Sequence, residues 1–146
     1  MVKMALLVVV TSALLLGCAN KIVVTFPDYD EVMVGDIKFR SNGGAKWTTV
    51  GQLSGLGCEG IATINGKKIL ATCEYGMSIS GKWHLTGLAK GHGRGQCGDG
   101  TWFEFTFGHS ESEASALVAQ ALLKSSTKPS LYSHISSEHK HTPDND

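Results

Sequence analysis

Cys58-Glu59-Gly60-Ile61-Ala62-Thr63-Ile64-Asn65-Gly66-Lys67-Lys68-Ile69-Leu70-Ala71-Thr72-Cys73 reads as a β-hairpin. Asn-Gly is a strong two-residue type I′ turn signal, because both residues tolerate positive φ. With the loop at Asn65-Gly66, Cys58 falls opposite Cys73. One face then carries Cys58, Gly60, Ala62 and Ile64 against Lys67, Ile69, Ala71 and Cys73. The other carries Glu59, Ile61 and Thr63 against Lys68, Leu70 and Thr72. This period of two is what strands require. Directly opposed residues lie ~4.5–5.5 Å apart at Cα, within reach of a disulfide. Cys58–Cys73 is the expected bridge, with two free thiols or a bridge from either residue to Cys97 as alternatives. Cys97 is expected to be a buried thiol, since no neighbouring base or cation is placed to activate it.

The same grammar extends along the chain. Ile22–Phe26, Val32–Phe39, Ala45–Leu53 and Met77–Leu85 read as strands, with turn clusters at Ser41-Asn42-Gly43-Gly44 and Tyr75-Gly76. Asp99-Gly100 marks another hairpin. A two-residue loop there sets Phe103, Phe105 and Phe107 opposite Gln96, Arg94 and His92. It also sets Trp102 opposite Cys97 and Glu104 opposite Gly95. Seventeen of the 18 glycines lie between Gly35 and Gly108. Each would cost a helix interior about 1 kcal/mol against Ala, so this segment is not a helical bundle. The expected fold is mainly β, a Gly-rich antiparallel meander.

Two helical features follow. Ser110 with Glu113 forms a capping box, and Ala114, Leu117, Val118, Ala121 and Leu122 make a helical stripe. This predicts one amphipathic helix over 110–125, packed on the sheet. Residues 126–146 are rich in Ser, Thr, Pro, Lys and His, and read as a flexible tail.

Charge narrows the function classes. Thirteen Lys+Arg balance thirteen Asp+Glu in 146 residues, so the surplus of cations expected of a nucleic-acid binder is missing. Met1–Lys3 is a short basic start, and Met4–Leu16 is apolar apart from Thr11 and Ser12. That run falls short of the ~20 residues needed to span a bilayer and has the length of a signal-peptide core.

The end of the run, Leu15-Leu16-Gly17-Cys18, resembles the lipobox of bacterial lipoproteins. The resemblance implies a signal peptide over 1–17, thioether lipidation of Cys18, acylation of the new amine and attachment of a β domain over 18–109 to the membrane. Ala19 in place of the Asp common in inner-membrane retention points to the outer membrane of a two-membrane envelope. In the middle of the chain, Ile79-Ser80-Gly81-Lys82-Trp83, Gly91-His92-Gly93-Arg94-Gly95 and Asp99-Gly100 resemble membrane occupation and recognition nexus (MORN) repeats. They depart from that pattern where Ile79 replaces Tyr, and where Phe103-Glu104-Phe105 lacks a following Gly-x-Trp. The chain is also similar to small uncharacterised Gly-rich bacterial lipoproteins. These likenesses imply a repetitive antiparallel sheet and no activity.

Candidate chemistry is sparse. The sequence holds no Gly-x-Ser-x-Gly, no His-Glu-x-x-His and no phosphate loop ending in Gly-Lys-Ser/Thr. His134, His139 and His141 offer metal ligands, but a flexible tail would not fix them, so no metal and no cofactor is expected. His84, His92 and His109 read as surface or edge histidines. Trp47, Trp83 and Trp102 are expected to pack in the core or cover glycine backbone, with binding of a glycan or a partner strand as the alternative. The expected function is non-enzymatic: binding or structural support at the membrane surface, with an envelope protein or glycan as partner. The alternatives are a small envelope hydrolase pairing His92 or His84 with Asp99, Glu104 or Glu59, and an inhibitor or exclusion factor acting on an envelope protein.

Overall fold

The computed structural model describes residues 20–41 and 43–139. The signal segment, Cys18, Asn42 and His141 lie outside the described residues. Eight antiparallel strands follow one another in chain order and close into a barrel: β1 (Lys21–Thr25), β2 (Val32–Phe39), β3 (Ala45–Gly51), β4 (Gly57–Thr63), β5 (Lys68–Cys73), β6 (Ser78–Gly87), β7 (Lys90–Cys97) and β8 (Trp102–His109). The meander expected from the sequence is present. Its closure is new: β1 pairs with β8, with Ile22 opposite Phe107 and Val24 opposite Phe105. Closure leaves no strand edge unpaired.

The β4–β5 register is the one the sequence implied, with Cys58 opposite Cys73 and Gly60 opposite Ala71. The two cysteines form a disulfide, and Cys97 is free and buried. The turn differs. Thr63 opposite Lys68 is the last pair, so Ile64–Lys67 form a four-residue loop with positive φ at Gly66 and Lys67. Two- and four-residue loops on the same centre give the same register, which is why the pairing survived the wrong turn.

At the second hairpin the register shifts by one. Phe103, Phe105 and Phe107 face Gly95, Gly93 and Gly91, Trp102 faces Gln96, and Glu104 faces Arg94. The loop has three residues, Gly98-Asp99-Gly100. Cys97 and Thr101 are joined by a backbone hydrogen bond of 2.8 Å, and Gly100 takes φ 89°. A turn followed by a left-handed residue is the common three-residue solution, and it demands glycine in the third place.

This shift sets the lumen. The inner face of β7 carries no side chain except Cys97, and the three phenyl rings lie over its bare backbone. A Cβ on Gly95 would come 2.7 Å from Phe103 Cζ, and one on Gly91 would come 2.6 Å from Phe107 Cζ. Phe103 stacks on Phe105 at 6.1 Å, and Phe105 on Phe107 at 6.4 Å. Trp47 lies over Gly60 in the same way. Its buried Nε1–H has no acceptor among the described residues.

The helix α1 (Glu111–Ser125) packs on the outside of the barrel. Its capping hydroxyl, Ser110 Oγ, accepts the Glu113 N–H at 3.2 Å. Ala114, Leu117, Val118, Ala121 and Leu122 cover Val23, Val32 and Val34. The irregular apolar pattern of β2 follows from this: Met33 and Ile37 fill the lumen while Val32 and Val34 meet the helix. Lys21 ties the start of α1 to the wall, reaching Asp36 at 2.8 Å and Glu111 at 3.4 Å. Glu31 is 2% exposed, and its carboxylate accepts the N–H groups of Val32, Leu53 and Ser54, each at 3.0 Å, which fixes the β3–β4 loop.

Two stability measurements check this packing. Gly93→Ala places a methyl against Phe105 and the Lys82 carbonyl. It is expected to lower stability by at least the ~1–3 kcal/mol usual for overpacking, with partial recovery on adding Phe105→Leu. An unchanged denaturant midpoint for the single variant would remove the close approach. Reduction, or Cys58→Ala with Cys73→Ala, is expected to cost about 3 kcal/mol for a loop of this length. A non-reduced digest is expected to yield the 58–73 linked peptide, with Cys97 reacting only after unfolding.

Candidate functional site

The barrel has two unlike ends. At one, the lumen is stoppered by a second helix, α2 (Leu131–His139). The sequence reading placed 126–146 in a flexible tail. The structure instead seats Leu131 in the core at 1% exposed, with Ile135 against the same cluster. Asp30 anchors the entry to the helix: its N–H donates to the Pro129 carbonyl at 3.0 Å, and its Oδ1 accepts the Leu131 N–H at 3.1 Å. Ser130 Oγ caps the first turn through the Ser133 N–H at 3.3 Å. The missed signal was Pro129-Ser130 before Leu131 and Ile135, a start signal with an i, i+4 apolar pair.

His134 completes the stopper. Its Nε2 lies 2.9 Å from Asp99 Oδ2, and its ring stacks on Tyr29 at 5.0 Å. Burial pushes the Asp99 carboxyl up, but the backbone N–H and hydroxyl of Thr101 and the His134 ring push it further down. The net position is below the usual carboxylate range. Of the tail histidines, His134 faces the Asp99 turn; the His139 side chain lies, like His141, outside the described residues. Among the described residues no cluster of three His, Cys, Asp or Glu could hold a metal ion.

The other histidines fall on the wall. His84 and His92 face each other across β6 and β7 with ring centroids 5.9 Å apart, both exposed. The structure does not bring either against Asp99, Glu104 or Glu59. Glu104 lies 3.9 Å from Arg94, whose guanidinium sits 5.2 Å over the half-exposed Trp102 ring. His109 contacts Thr106 at 2.7 Å and Glu113 at 3.5 Å. Burial, with Asp99 adding to it, pushes the Cys97 thiol up to about 12. That thiol carries almost no thiolate at neutral pH and is a poor nucleophile.

The second end is open, and nothing in the described chain covers it. Its rim is formed by the starts of β1, β3, β5 and β7 and the ends of β2, β4, β6 and β8. Trp83 closes the lumen just below, donating Nε1–H to the Thr63 carbonyl at 3.1 Å, with its ring edge-on to Phe107. The space between Phe39, Trp47, Trp83 and Phe107 is only about 20 Å³. One water would fill it, so this lumen is a packed core and not a ligand chamber.

The rim itself is apolar and basic. Phe39, Ile64, Leu85 and Leu88 are exposed there, and Leu88 is 98% exposed at the tip of the β6–β7 turn. Around them stand Lys38 opposite Lys46, and Lys68 opposite Lys82. Like charges directly opposed across strands are destabilising in water. The stoppered end carries Asp28, Asp30, Glu74 and Asp99, with Lys124 and Lys128 beside Asp30 and Glu31. A chain with no net charge is thus a barrel with a basic end and an acidic end. The sequence reading overlooked this rim. Its available signal was Leu88 between Gly87 and Lys90, and Ile64 beside Asn65-Gly66: large apolar residues in turns.

Comparison with protein-family models, with curated proteins and with solved structures finds no match to this chain.

The stopper has a pH signature. Asp99 sits below its ordinary value of about 4, so its contribution is full above that value and is lost as pH falls through the lowered folded-state value. The Asp99 part of the stability gap between wild type and Asp99→Asn is expected to be fully present above pH ~5 and to shrink on acidification below pH ~4. Denaturant midpoints across this range check it; a gap that does not narrow removes the contact.

Proposed function

We propose that the chain is a lipid-anchored lipoprotein of the bacterial envelope. Its barrel would act, without catalysing a reaction, as a binding or structural element at the membrane surface. The observation that carries this reading is Leu15-Leu16-Gly17-Cys18, following a basic start and an apolar run. The anchor would be a diacylglyceryl thioether on the Cys18 sulfur, with the amine acylated after cleavage of residues 1–17. Two or more chains give lasting attachment, since each buried CH₂ contributes ~0.8 kcal/mol.

The geometry of the body supports the same reading. Cys18 stands three positions before Lys21, the first residue of β1. Three residues span at most roughly 10 Å, so an anchor on Cys18 would meet the body near its open end. No helix among the described residues is long and apolar enough to cross a membrane. The stoppered end, with its acidic turns, would then face away from the lipid, toward an envelope protein or glycan. A binding role is further supported by how the reactive groups are engaged. Cys97 is sealed in the lumen. The contact between His134 and Asp99 holds α2 against the barrel. Ala19 after the anchor favours the outer membrane where two membranes are present.

Metabolic labelling with a clickable palmitate tests the anchor. Wild type is expected to carry the label and fractionate with membranes, and Cys18→Ala to lose both properties. An unlabelled wild type, or a labelled Cys18→Ala chain, would overturn the proposal.

A further inference from the structure

We propose that the open end of the barrel is a bilayer-docking face, fitted to an anionic leaflet. Leu88, Leu85, Phe39 and Ile64 would enter the boundary between headgroups and acyl chains, and Lys38, Arg40 and Lys67 would meet lipid phosphates. The inference rests on the lipid-anchored reading, and it adds that the protein body itself makes contact with the lipid.

Three independent observations converge on this face. The first is placement of apolar surface. Single exposed apolar residues are ordinary. Here the four come from the ends of β2 and β6, the β4–β5 loop and the β6–β7 turn, and they surround one rim. Leu88 is almost wholly exposed beside Ala89, which takes φ 54°. Left-handed backbone is unfavourable for Ala, so the turn holds Leu88 outward against a local cost.

The second is charge. The opposed pairs Lys38–Lys46 and Lys68–Lys82 repel each other. No salt bridge reaches Lys38, Arg40, Lys67 or Lys68 among the described residues. The acids at this end lie toward α1 and are engaged: Asp36 and Glu111 by Lys21, and Glu113 by His109. An anionic surface would relieve the repulsion, and basic residues beside exposed Leu and Phe are the composition of interfacial membrane binders.

The third is the chain path. Asn20, just before β1, accepts the Ile37 N–H at 2.8 Å on this same rim, so the proposed anchor at Cys18 would hold the rim within reach of lipid. A second copy docked rim to rim is a poorer occupant, because two basic rims would face each other.

The test uses the full chain isolated from membranes and reconstituted into vesicles of phosphatidylglycerol and phosphatidylcholine, or of phosphatidylcholine alone. A nitroxide is placed at Leu88→Cys, which is exposed, and at Tyr132→Cys on the opposite end as a control. The native Cys97 is buried and does not compete for the label. On anionic vesicles the label at 88 is expected to become accessible to oxygen and shielded from a water-soluble nickel complex. The label at 132 is expected to stay accessible to nickel. Lys38→Glu with Arg40→Glu and Lys67→Glu is expected to return the label at 88 to water.

If the chain carries palmitate and sits in the vesicles while the label at 88 remains as accessible to nickel as that at 132, docking is overturned and the anchor stands. If palmitate is absent yet the label at 88, placed in a Cys18→Ala chain so that no second thiol takes it, is shielded on anionic vesicles, the anchor fails and docking stands. Concentration-dependent immobilisation of the label at 88 without vesicles would assign the face to a second copy and overturn the proposal.

Discussion

The approach of the β8 phenyl rings to the bare backbone of β7 is the constraint on which the barrel depends. Gly91, Gly93 and Gly95 present no side chain to the lumen, so Phe107, Phe105 and Phe103 can lie across the strand. Small barrels fill their interior by matching large residues on one strand with small ones on the next. Here the matching is extreme, with three rings on one strand and three hydrogens on the other. The same arrangement recurs where Trp47 covers Gly60. Gly60, Gly91, Gly93 and Gly95 are therefore required for filling a narrow lumen with aromatic rings, while Gly43, Gly55, Gly66, Gly76, Gly100 and Gly108 take positive φ.

A filled lumen shifts function to the ends and the outer wall. The outer wall is partly taken by α1, whose stripe covers Val23, Val32 and Val34. One end is taken by α2, which drops Leu131 into the core and is held by Asp30, Tyr29 and Asp99. The remaining end is unlike both. It gathers Phe39, Ile64, Leu85 and Leu88 with a ring of lysines, and it is where the chain enters β1. The described barrel thus has a direction, with a basic apolar end at the start of β1 and an acidic, stoppered end away from it.

Local patterns carried much of this. The alternation around Asn65-Gly66 gave the β4–β5 register and the Cys58–Cys73 bridge even though the turn was misjudged, because both loops share one centre. The capping box at Ser110 and the stripe after it gave α1. The Phe103 hairpin failed by one residue, because Gly98-Asp99-Gly100 was read with an even loop when its left-handed third residue makes it odd. That error hid the pairing of rings with glycines. The helix α2 was missed because only Leu131 and Ile135 mark it within a run of Ser and His. The basic rim was invisible to a charge count, since a zero sum says nothing of where the charges stand.

By itself the sequence determined an antiparallel Gly-rich meander, the register that sets Cys58 opposite Cys73, and the outer helix, because each is written in neighbours along the chain: turn residues, a period of two, a period of 3.6. Tertiary structure alone decided that the meander closes, that one end is stoppered and that the other gathers apolar and basic residues. Those outcomes join residues far apart in sequence, such as Ile22 with Phe107 and His134 with Asp99. Their pairing depends on the twist and tilt accumulated over eight strands, which no local pattern encodes.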